Sequence, residues 1–149
     1  MKITSFFDFK GRELNTQIGI AKELELDTIL LRYVGNKEII ELTKDEIIKV
    51  NGTLRKEKID IAAIDPLINS YDLYDLEGYK NNLEQYEKAI VQAKALKVNN
   101  VYLRLPIIND IINEFETVEK QLTPIINIAI KNNINLLIEQ GSTKTNILI

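Results

Sequence analysis

The chain has 149 residues, of which 45% are hydrophobic and 28% charged, with a formal net charge of −3. Such a length suits one domain, and such a composition excludes a disordered chain. The slight acidic balance argues against a nucleic-acid or membrane-surface binder, which would carry a basic patch. The sequence has neither cysteine nor histidine. Disulfides, thiolate metal sites, cysteine nucleophiles and Ser-His-Asp triads are therefore excluded, and a metal site within the chain would have to use carboxylates, amides and water.

No apolar run approaches the ~20 residues that span a bilayer. The start, Met1-Lys2-Ile3-Thr4-Ser5, lacks the long apolar stretch of a signal peptide, so a cytoplasmic protein is expected. Lys2 to Phe9 alternates weakly and reads as a first strand, broken at Gly11. Asn15 or Thr16 is a candidate cap for a helix with Leu14, Ile18, Ala21 and Leu24 or Glu25 on one face. Thr28 to Val34 is a nearly continuous apolar run, as suits a strand buried on both faces. Gly35 and Asn36 end it. Thr43 and Glu46 form a capping box for a helix reaching about Glu57, weakened by Asn51-Gly52.

Ile59 to Ile64 reads as a third strand, closed by Asp65-Pro66. A longer connection follows, containing Tyr71, Tyr74 and two further aspartates; these tyrosines read as loop anchors sooner than sugar-stacking platforms. A helix is expected from Tyr79 to Lys97, with Leu83, Tyr86, Ile90 and Ala93 inward. A fourth strand follows from Asn100 to Leu105. The next helix runs from Glu114 to Asn132, where Pro124 bends it or marks its first turn. Ile134 to Glu139 is the fifth strand, and Gly141-Ser142-Thr143 opens one or two turns of a last helix.

Strand–helix alternation means a parallel sheet with right-handed crossovers. Charged residues end most of these strands: Asp8, Arg32, Asp65, Arg104 and Glu139. In a parallel barrel, as in an open α/β sheet, those ends face one site. Two arginines suit an anionic sugar or phosphate, because a guanidinium grips oxyanions in a fork. Glu139 could bind a hard cation or take a proton from carbon. A plainer reading stands beside this one: Arg32 and Arg104 pair with Asp65 or Glu139 and merely neutralise the rim.

In this order the segments resemble the xylose-isomerase-like TIM barrel superfamily, the sugar phosphate isomerases and epimerases related to endonuclease IV. Leu26 to Arg32 is similar to that family's glycine-led second strand. Ala63-Ile64-Asp65-Pro66-Leu67-Ile68 is similar to its third strand and "Ser-Pro-Ile-Gly" loop. Leu83 to Leu96, with Val101-Tyr102-Leu103-Arg104, resembles its helix and fourth strand. Leu136-Leu137-Ile138-Glu139-Gln140 resembles its fifth strand, which ends in a metal-binding glutamate. There are departures: Leu30 replaces a glutamate, and Glu25 and Lys97 stand where glycines are usual.

The resemblance implies an α/β fold with parallel strands in the order 1-2-3-4-5, about five βα units of an incomplete (β/α)8 barrel that normally needs about 250 residues. It implies a divalent-metal-dependent sugar (phosphate) isomerase or epimerase acting by proton transfer next to a carbonyl. Glu139 would be both catalytic residue and ligand for Mn, Zn or Mg, and Asp8, Arg32, Asp65 and Arg104 would bind substrate. The family's other ligands come from strands six to eight, so this chain alone is expected to be inactive. The exposed edges of strands one and five lead us to expect self-association or a completing chain. The alternatives are a complete five-stranded flavodoxin-like binding domain, with order 2-1-3-4-5, and a non-catalytic barrel remnant.

Overall fold

The computed structural model describes residues 3–138. In chain order its elements are α1 (Leu14–Glu23), β1 (Thr28–Leu31), β2 (Tyr33–Val34), β3 (Lys37–Glu38), a 3-10 turn (Ile39–Glu41), α2 (Lys44–Glu57), β4 (Asp60–Ile64), α3 (Leu76–Ala95), β5 (Asn100–Leu103), α4 (Ile111–Lys131) and β6 (Asn135–Ile138). One parallel sheet has the order β1-β4-β5-β6, and β2 and β3 form a separate antiparallel hairpin. The expected second to fifth strands therefore lie side by side in sequence order. The expected second strand pairs directly with the third, which runs against the doubly wound order 2-1-3-4-5.

The expected first strand is corrected. The described part of Lys2 to Phe9, residues 3–9, is not a strand of the sheet and makes one parallel bridge, Phe6 to Leu30. The ladder fails because the Thr4 hydroxyl, not a backbone N–H, donates to the Thr28 carbonyl at 3.1 Å, and only the Leu30 N–H reaches Ser5 O, at 3.0 Å. The second strand is also shorter than expected. It stops at Leu31, and Tyr33-Val34 turns back at Gly35, whose φ of +61° favours glycine. Gln17, 1% exposed, pins this turn by donating from Nε2 to the carbonyls of Arg12 and Tyr33, both at 2.9 Å.

Helix ends are set by side chains at one end and by the backbone at the other. Thr43 and Glu46 make the expected reciprocal capping box of α2, which runs unbroken through Asn51-Gly52. Asp75 and Asp110 cap α3 and α4, starting both helices three residues earlier than their apolar periodicity indicates. α1 follows Glu13 with no side-chain cap, so neither Asn15 nor Thr16 plays that part. α4 continues through Pro124.

All four helices stop in the same way. Glu25, Lys58, Lys97 and Asn133 take left-handed φ values of 57°, 56°, 60° and 55°. The next residue in each case, Leu26, Ile59, Val98 or Ile134, donates its N–H to the carbonyl five positions back, at 2.8 to 3.1 Å. This is the Schellman closure, which usually employs glycine at the reversed position. Helices cover one face of the sheet, where Ile29, Leu31, Ile64, Val101 and Leu103 are buried. The other face carries half-buried Leu30 and Tyr102.

Candidate functional site

Asp8, Arg32, Asp65 and Arg104 converge at the carboxyl end of the sheet, in two forks. Arg32 donates from Nε and Nη2 to the two Asp8 carboxylate oxygens at 2.6 and 3.0 Å. Arg104 donates from Nη1 and Nη2 to the two Asp65 oxygens, both at 2.9 Å. The expected pairing is thus corrected for Arg32, whose partner is Asp8. An ionised aspartate this deep must be matched by a cation in good geometry, and a bidentate guanidinium supplies it.

The Asp65 fork is the deeper one, with side-chain exposures of 3% for Asp65 and 23% for Arg104. Asp65 Oδ1 also accepts the Leu67 N–H at 2.9 Å, which holds Leu67 at φ +56° just after the strand. The Arg104 N–H donates to the hydroxyl of fully buried Tyr86 at 2.9 Å. In the Asp8 fork the exposures are 7% for Asp8 and 35% for Arg32. The Arg32 guanidinium also lies 4.6 Å above the Phe6 ring, which in turn packs 5.9 Å from Tyr102.

The Arg32 hydrogen bond holds the Asp8 carboxyl below its ordinary range, against burial, which pushes it up; the charges of Arg32 and Arg12 add to the lowering. Arg32 is raised in return, first by its hydrogen bond to Asp8, and the charge of Asp65 contributes. The charge of Asp65 is thus felt at Arg32, across the gap between the two forks. Sequence reasoning missed Arg12, an exposed guanidinium stacked 3.7 Å over the Tyr33 ring. It also missed the role of Tyr86, whose inward position was legible but whose hydroxyl was not.

The connection after β4 is anchored. Tyr71 donates its hydroxyl to Gln121 Oε1 at 2.9 Å, and Gln121 Nε2 donates to the Leu73 carbonyl at 2.9 Å. Burial pushes the Tyr71 phenol up to about 12. A bridge from Asp72 to Ile107 ties this connection to the one after β5. Tyr71 is thus an anchor, as expected, and Tyr74 is exposed.

Glu139, the expected catalytic residue and metal ligand, lies outside the described residues, as do Gln140 and the expected last helix. Among the described residues no three Asp or Glu side chains cluster so as to hold a metal ion. Asp8 and Asp65 are each closed on an arginine, which is the wrong environment for a cation ligand. The described residues thus do not fit a metal centre. No helix among them is long and apolar enough to cross a membrane.

No protein-family model matches the chain, and no curated protein sequence matches it. Solved structures do. A xylose isomerase domain protein from Planctomyces limnophilus superposes with a TM-score of 0.71 at 11% identity, covering 93% of this chain and 54% of that one. The chain has the fold of part of a xylose-isomerase-like TIM barrel. A xylose isomerase-like TIM barrel protein from Mycobacterium smegmatis, in complex with magnesium, gives a TM-score of 0.69 at 16% identity over 95% of this chain and 55% of that one. A D-psicose 3-epimerase, crystallised in the presence of D-fructose, gives 0.69 at 16% identity over 93% and 52%. The chain thus spans about half the length of these xylose-isomerase-like barrels.

Proposed function

We propose that the carboxyl rim is the substrate mouth of a sugar or sugar-phosphate isomerase or epimerase site, of which this chain supplies the first part, about five βα units. The observation that carries this reading is the Asp8–Arg32 fork beside the Asp65–Arg104 fork, on a fold whose solved neighbours include sugar epimerases. Asp8 uses Nε and Nη2 of Arg32, and no described residue accepts from Nη1. That group, partly exposed and held in place by Asp8, is the one we assign to a phosphate or sugar oxyanion. Asp65 and Arg104 position the rim and contribute its field. Proton transfer next to a carbonyl falls, in this reading, to Glu139. A divalent ion enters through the family resemblance and the magnesium in one neighbour. The described residues offer it no donor set, so no step is assigned to it. By itself the chain binds but does not turn over.

Titration calorimetry with D-fructose 6-phosphate and D-fructose tests this, together with turnover assays on ketoses and hydroxy acids with and without Mn²⁺. The phosphate ester binds more tightly than the free sugar, and Arg32→Ala weakens it at least about tenfold, the effect of losing one charged hydrogen bond. Equal, millimolar or absent binding of both compounds sinks the proposal. It would instead favour a non-catalytic remnant in which both forks serve only as braces, a reading supported by the bidentate pairing of each aspartate with its arginine.

A further inference from the structure

Arg12 stands at the same mouth and takes no part in either fork. It stacks on Tyr33, the residue directly after Arg32. Its charge adds to the lowering of the Asp8 carboxyl that the Arg32 hydrogen bond leads. The Asp8–Arg32 fork is itself neutral, so Arg12 brings a further positive charge to it. Among the described residues no carboxylate pairs with Arg12. The neighbouring acid, Glu13, lies against Gly35 instead, with its Oε1 3.3 Å from where a Cβ would stand.

The Arg12 side chain is exposed, yet the structure holds it. Its guanidinium lies 3.7 Å from the centre of the Tyr33 ring. Both residues of the stack are fixed through their carbonyls. Buried Gln17 donates from Nε2 to Arg12 O and to Tyr33 O, each at 2.9 Å, and the Gly35 N–H donates to Arg12 O at 2.8 Å. One buried amide thus sets the spacing of the two side chains. Stacking engages only the face of a guanidinium. Its N–H groups lie in the plane and stay free for an oxyanion. A long side chain held in this way has less rotamer freedom left to lose when a ligand binds.

We infer that Arg12 is the second arm of the grip assigned above to Arg32, and that the two select a phosphate monoester, held as its dianion, over a neutral sugar or a singly charged ester. This rests on the reading of the rim as a substrate mouth. Arg32 shares its charge with Asp8, so a dianion at its Nη1 needs another cation, and Arg12 supplies it. Titration calorimetry at about pH 8, above the second phosphate ionisation at about 6, compares D-fructose 6-phosphate with the monoanionic D-fructose 6-sulfate. The native chain should bind the phosphate at least about tenfold more tightly than the sulfate. Arg12→Gln keeps a planar group over the Tyr33 ring and removes the charge. It should cut that preference to about threefold or less by weakening the phosphate alone, and Arg12→Lys should restore part of it. The unchanged sulfate affinity doubles as the check that each variant is folded. Equal affinity of the native chain for the two esters, an unchanged preference in Arg12→Gln, or equal losses on both esters overturns the inference. The mouth itself stands in those cases if Arg32→Ala weakens the phosphate. No binding of either ester to the native chain sinks the mouth and the inference together.

Discussion

The two arginine–aspartate pairs on the rim share a chemistry and differ in what holds them. Asp65 sits at the end of β4, and its carboxylate serves both Arg104 and the backbone of the following turn, while Tyr86 supports Arg104 from beneath. Asp8 sits on a segment held by a single bridge, and its arginine is one-third exposed. The same fork therefore acts as a structural tie in one place and as an adjustable group in the other. A buried pair cannot lose a partner cheaply, because the remaining charge stays in a poor solvent. Where the group left behind is partly exposed, as Arg32 is, water can replace the partner.

Removing the acids tests that contrast most directly. Asp65→Ala should cost about 3–5 kcal/mol in urea unfolding, since it strands Arg104 and frees the Leu67 turn. Asp8→Ala should cost about 1 kcal/mol or less. Equal losses would break the comparison.

Acid sharpens it. The folded Asp8 carboxyl lies below its ordinary 3.8, so its contribution is complete above that value and fades as the pH falls through the lowered value. The stability gap between the native chain and Asp8→Asn should close over that window. A gap constant from neutral pH to below 3 would remove Asp8 from the electrostatic account.

The smallest effect concerns the strand that delivers Arg104. Lys97 holds a left-handed conformation that glycine adopts without steric cost, so Lys97→Gly should stabilise by about 1 kcal/mol in the same unfolding assay, with the fork intact. A loss of stability would show that the Lys97 stem packs usefully.

Much of this architecture is legible in the sequence because it rests on local patterns. The runs from Thr28, Ile59 and Asn100 are apolar on both faces, as parallel strands require, and Thr43 with Glu46 announces its helix end by chemistry alone. The starts of α3 and α4 were displaced because apolar periodicity marks the buried face, whereas Asp75 and Asp110 mark the true ends. Phe6 and Phe7 look like strand residues, yet their segment has a partner on one side only and makes one bridge. At the site, strand-end charges located the rim correctly. Which arginine meets which aspartate depends on distances across the sheet, and no spacing along the chain encodes them. Glu25 and Lys97, which stand where the resemblance leads one to expect glycines, are two of the four left-handed helix-end positions.

Those four reversals make the amino end of the sheet rigid in length. Each ties the approach to a strand to the last turn of the preceding helix, so the phase of every strand is inherited from where its helix stops. One residue inserted between Lys97 and Val98 would carry Arg104 to the helix side and leave Leu103 facing the mouth, by the two-residue repeat of a strand. The connections leaving the carboxyl ends are held differently, by side chains: Gln17 pins the turn after β1, and Tyr71 with Gln121 anchors the one after β4. The amino end of the sheet therefore has to keep its residue count, because a change there alters which side chains reach the mouth.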